Sequence, residues 1–143
     1  MMTNIILKTA VRVIVPTSLV FAFYIYFKGH QTPGGGFVAG LVAGVSIIIH
    51  RMACGKKSMY QLMPCPERTL IAIGLALALL TGLAPLIQGL PFLTSNFGYI
   101  QLPDETPQYF EWATVMTFDL GVMLVVAGVV VGMISALSEE LNI

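Results

Sequence analysis

Charge is scarce in this chain: only 10% of its 143 residues are Asp, Glu, Lys or Arg, against about 25% in ordinary soluble domains. Such a chain cannot cover itself with a water-compatible surface. Formal net charge is zero and the seven basic residues are scattered, so no stripe for nucleic acid exists. Cysteine is nearly absent as well. Cys54 and Cys65 stand eleven positions apart, which is neither a CxxC metal or redox pattern nor a disulfide framework, and both are expected to be free thiols. The two histidines, His30 and His50, have no cysteine or carboxylate neighbours at ligand spacing, so no metal and no cofactor is expected. No acid, base and nucleophile fall at one depth, which argues against an enzyme. Ser18, Ser46 and Thr81 lie in apolar runs without a base beside them and are expected to bond helix backbone instead.

What fills the chain is apolar residues, 57% of the total. They fall into four runs at about 5–27, 37–53, 69–87 and 113–137, each near the roughly 20 residues that a helix needs to cross a bilayer. The expected fold class is an all-α integral membrane protein: one membrane domain over 1–143, four transmembrane helices and an outer loop at 88–112. A basic start before an apolar run also suits a signal peptide. Here Tyr24, Tyr26 and Phe27 end the run without a small-x-small cleavage site, so the segment is expected to remain as an anchor, with those rings in an interfacial belt. Pro16 is a candidate kink in that first helix.

The few charges set an expected orientation. Arg51, Lys56, Lys57 and Arg68 cluster between the second and third runs with one acid, Glu67, whereas 88–112 contains no Lys or Arg. By the positive-inside rule the basic segment is cytoplasmic, and four crossings then place both the N and C termini inside. Lys8 and Arg12, one helical turn apart, agree with this, and Lys28 dissents. The outer loop mixes aromatics with Asp104, Glu105 and Glu111, which reads as a solvated acidic loop with interfacial rings.

Glycine is where the apolar runs become specific. Gly36, Gly40 and Gly44 form a doubled GxxxG face, Gly74, Ala78 and Gly82 a second, and Gly128, Gly132 and Ala136 a third. Such faces let helix backbones approach closely and gain contacts that lipid cannot offer, so the expected role is helix packing. In a chain this short, three faces are expected to need helices from other proteins. Asp119 is the only acid well inside an apolar run, and a carboxylate there must face protein or water. Counted from Ala113, it lies about 9 Å from the outer end of its span. Between the first two runs, Gly29-His30-Gln31-Thr32-Pro33-Gly34-Gly35-Gly36-Phe37 supplies a rigid proline and three permissive glycines, which suits a tight turn between helices. It is no phosphate loop, since no Lys-Ser/Thr follows and no strand precedes.

The run from Gly29 to Gly40, together with Phe118-Asp119-Leu120-Gly121-Val122, resembles the MnhB/MrpB family, found in the Mrp-type, also called Mnh, multisubunit Na+/H+ antiporters. That resemblance covers the architecture of nearly the whole chain. It implies a small subunit, needed for assembly and lining part of the ion path, in a hetero-oligomer that exchanges internal Na+ for external protons. It further implies other antiporter subunits and membrane lipid as partners, and a bacterial or archaeal cell membrane as location. His30, Pro33, Gly34, Gly35, Gly36, Phe37 and Asp119 are the positions at which it implies an interface or ion path. The residues alone also allow a self-assembling four-helix cation channel, with Asp119 from several copies forming a carboxylate ring.

Overall fold

The computed structural model describes residues 2–28, 35–87, 89 and 108–141, with side chains described over 4–28, 35–87, 89 and 115–141. His30, Pro33, Gly34 and most of the outer loop lie outside the described residues. All regular structure among them is helical: α1 (Met2–Lys28), α2 (Gly35–Cys54), α3 (Lys56–Leu62), α4 (Glu67–Ile87) and α5 (Gln108–Glu140). Four stretches, Asn4–Lys28, Gly35–Cys54, Lys56–Ile87 (α3 and α4 together) and Val115–Glu140, are long and apolar enough to cross a membrane.

The long helices stand side by side in the order α1, α2, α5, α4, with α3 against α2. Chain direction and contacts define the two ends of this row. At one end the C-terminus of α1 and the N-terminus of α2 meet α5 near Met116 and Asp119. At the other, α3 and the start of α4 meet the C-terminal part of α5, and α1 begins. The start of α1 and the end of α5 are therefore both at the α3 end. α2 runs parallel to α5 and α4 antiparallel to it, so α5 is packed on two sides. The outward sides of the row carry large apolar residues such as Ile14, Phe23, Leu80 and Met133, a surface suited to lipid or other protein rather than water.

Pro16 sits within α1 and the helix continues through it. The ring weakens the preceding turn, where the Thr17 hydroxyl donates to the Val13 carbonyl. Ser46 donates to the Val42 carbonyl at 2.7 Å and Thr81 to that of Leu77 at 2.7 Å. The Thr17, Ser46 and Thr81 hydroxyls thus turn back into their own helices.

One expectation needs correction. The polar stretch after α2 is not simply a loop: Gly55 breaks the helix at φ 89° and α3 restarts it. Its cause is apolar spacing inside a polar segment, because Met59 and Met63, one turn apart, are buried against Val131 with Ile47, Ile48 and Leu70 around them. Polar contacts then tie this end together, with Arg51 donating to the buried Ser135 hydroxyl, Lys56 paired with Glu139, and His50 Nε2 at 2.9 Å from Ser58 Oγ. α5 itself starts at Gln108, five residues before the expected span, so Asp119 lies about 16 Å along the helix while staying near the start of its apolar stretch.

Candidate functional site

The tightest helix contact joins the two stretches that carry the resemblance. Gly36, on the second residue of α2, lies so close to α5 that a Cβ there would strike the Asp119 carbonyl oxygen and stand 3.0 Å from its carbon. The next glycines continue the seam. A Cβ at Gly40 would come within 2.8 Å of the Met123 carbonyl oxygen, and one at Gly44 within 3.1 Å of Val130. Four-residue spacing on α2 thus follows the stripe 119, 123, 126/127, 130 along a parallel α5.

The other side of α5 uses its own glycines. A Cβ at Gly74 would lie 2.7 Å from the Gly121 carbonyl oxygen, and one at Gly121 would lie 2.7 Å from that of Gly74. Gly128 faces Ile71 and the Glu67 backbone, and Gly132 lies looser, with a Cβ there 3.5 Å from Glu67 Cγ. Gly82 is buried on α4. The small-residue faces expected to need outside helices are therefore covered largely by helices of the same chain. What remains for outside partners is the large-residue surface.

α1 closes the site. Tyr26 is 7% exposed, and its hydroxyl donates to the Met116 carbonyl at 2.7 Å. Ala22, Ala39, Ala43 and Met123 surround it. Placing Tyr26 in a lipid-facing belt is thus corrected: Tyr24 and Phe27 are exposed, while Tyr26 lies on the face with Val11, Val15 and Ala22 that packs inward. Spacings of four, seven and four along that face are the helical signal that could have found it. Lys28 Nζ lies 5.5 Å from the Tyr24 ring centroid, a cation–π contact at this end of α1.

Asp119 is half-buried at this convergence and engaged in an interaction of its own. Its carboxylate is near enough to act electrostatically on the Tyr26 phenol. Three helices thus place one carboxylate, one phenol and the start of α2 at a common depth. Gly35 is buried beside Gly36, whereas Phe37 is 53% exposed and points away from the seam. No group of three His, Cys, Asp or Glu side chains that could hold a metal occurs among the described residues. This arrangement can hold a cation or pass a proton by one ionisable group, but it does not assemble a nucleophile with a base.

Tyr26→Phe tests the closure. It keeps the ring and removes one helix–helix hydrogen bond, and is expected to cost about 1 kcal/mol, read as a lower melting temperature of the chain in detergent.

Residues 6–132 match the family model described as "Domain related to MnhB subunit of Na+/H+ antiporter". The chain is 42% identical over 137 residues to the Na(+)/H(+) antiporter B-subunit of Bacillus subtilis (strain 168), covering 96% of this chain and 94% of that protein. It is 35% identical over 139 residues to the protein of the same name from Alkalihalophilus pseudofirmus, at 96% and 94% coverage. A putative antiporter subunit mnhB2 of Staphylococcus saprophyticus is 35% identical over 135 residues, with 94% of each chain covered. With the match reaching into all four apolar helices and taking in both stretches that meet at Asp119, the chain belongs to the MnhB family of multisubunit Na+/H+ antiporter subunits.

Proposed function

We propose that this chain is a membrane subunit of a multisubunit cation/proton antiporter in a bacterial cell membrane, acting in assembly and lining part of the ion path beside Asp119. The observation that carries this reading is the meeting of the two family stretches at Asp119, the residue whose backbone Gly36 touches at the junction of three helices. Na+ is the cation that the relatives' names support. The self-assembling channel is less favoured, because the Asp119 backbone packs against α2 of its own chain and its half-buried side chain lies one turn from Met116, which Tyr26 of α1 bonds.

Orientation follows from the charges. Lys8, Arg12, Arg51, Lys56, Lys57 and Arg68 belong to the α3 end, leaving Lys28 at the other, so the positive-inside rule puts both termini in the cytoplasm. Phe37, exposed next to the seam, offers a ring to a neighbouring protein of the assembly.

The test is the native size and composition of the particle after mild detergent extraction from its own membrane. A large assembly of several different hydrophobic subunits is expected, and a homo-oligomer or lone 15.4 kDa chain would overturn the proposal. In vesicles holding that assembly, Phe37→Ala is expected to lower Na+-driven proton movement several-fold while leaving the melting of the isolated chain unchanged. Full antiport with intact assembly would remove Phe37 from the interface.

A further inference from the structure

Lys8 and Arg12 are exposed on α1, one turn apart, and make no hydrogen bond or ion pair among the described residues. They flank the face on which Val11 and Val15 are buried, so they lie beside the α1–α2 seam at the α3 end. Depth gives them a specific task. From Lys8 to Lys28 the helix runs 20 residues, about 30 Å, which matches the hydrocarbon thickness of a bilayer. Lys8 therefore stands at the headgroup level and Arg12 about 6 Å inside it.

No described carboxylate reaches this pair. Glu139 is taken by Lys56, Glu140 beside it at the end of α5 is exposed and forms no ion pair among the described residues, Glu67 lies between α4 and α5 on the far side of α2, and Asp119 is at the opposite end of the row. A guanidinium just below the interface with an ammonium one turn above it matches a phosphate, which offers several acceptor oxygens at that depth. We propose that Lys8 and Arg12 form a binding site for the phosphate of an anionic phospholipid headgroup. The site rests on the membrane-spanning geometry and not on the antiport reading. An acidic side chain of another protein in the assembly is the competing occupant, and the depth of Arg12 favours lipid because an acid buried there would carry its own insertion cost.

The experiment is native mass spectrometry of the complete complex in mild detergent, with phosphatidylglycerol and phosphatidylethanolamine quantified per particle. The double variant K8Q/R12Q is expected to lose retained phosphatidylglycerol by roughly tenfold or more, with phosphatidylethanolamine unchanged and Arg12→Lys keeping most of the anionic lipid. Unchanged phosphatidylglycerol overturns the proposal, as does equal loss of both lipids. Release of a neighbouring subunit with phosphatidylglycerol still bound assigns the pair to a partner carboxylate and also overturns it. Should the double variant fail to assemble, the full chain alone is melted in mixed micelles. Wild type is expected to gain more from phosphatidylglycerol than from phosphatidylcholine, and K8Q/R12Q to gain equally from both. The same preference in both proteins would sink the idea.

Discussion

Gly36→Val is expected to part α2 from α5 at the junction end and to destabilise the chain by about 3 kcal/mol, the upper end for overpacking a close-packed site. The added carbon would meet the Asp119 carbonyl oxygen, with the Asp119 carbonyl carbon at 3.0 Å and Cα at 3.2 Å. All three are backbone atoms of a long helix, so no rotamer change can make room. Relief requires moving α2 or α5 as a body. α5 is also held from its other side by the reciprocal Gly74–Gly121 contact, so its shift would disturb α4 as well. Gly132→Ala is the control. There the new carbon would stand 3.5 Å from Glu67 Cγ, an ordinary contact with a side chain, and the higher helix propensity of Ala predicts no loss or a gain of up to about 1 kcal/mol. Cys54 and Cys65 are half-buried free thiols, and a thiol-reactive dye can report the melting of both variants. Equal midpoints for Gly36→Val and wild type would show that the seam is not held at that distance.

Asp119→Asn is expected to lower cation-driven proton movement by roughly tenfold, the equivalent of about 1.4 kcal/mol in barrier height, while the assembled complex keeps its composition. Packing and ion handling separate cleanly at this residue. Gly36 touches the Asp119 backbone, which the substitution leaves alone, and Asn preserves the size of the side chain and its ability to accept a hydrogen bond. What disappears is the ionisable group, and among side chains described at the junction end there is no second acid to replace it. Transport measured in vesicles holding the whole complex reads the outcome. Undiminished transport would take Asp119 out of the ion path and leave it as a helix-packing position. A loss accompanied by missing subunits would assign it to assembly.

The depth of Asp119 shows how far a linear reading reaches. Counting from an apolar boundary gave a carboxylate about 9 Å inside the outer end. The helix itself starts at Gln108, which lengthens that figure, yet Asp119 faces Gly36, only the second residue of α2. α5 therefore runs roughly three turns beyond the level at which α2 begins, and the carboxylate sits near the edge of the row rather than at its centre. Hydropathy marks where apolar residues stop, while the level of a residue among its neighbours depends on which helix it touches. The same limit hid α3: Met59 and Met63 are only two apolar positions in a basic segment, and their burial came from Val131, far along the chain.

The amino-acid order by itself determined that the chain is helical and membrane-embedded, because four apolar runs of bilayer length leave no other way to satisfy their backbone groups. It also marked the glycine faces and the lone intramembrane acid, since spacing on a helix is a local property. Only the tertiary structure decided which face meets which. Gly36, Gly40 and Gly44 would accept almost any helix at close range, and their choice of the stripe through Asp119 rests on the parallel placement of α2 and α5. It likewise decided that Tyr26 turns inward to Met116 while Tyr24 turns outward. Those pairings depend on residues about 90 positions apart in the chain, and a periodicity confined to one helix holds no information about the helix that will cover it.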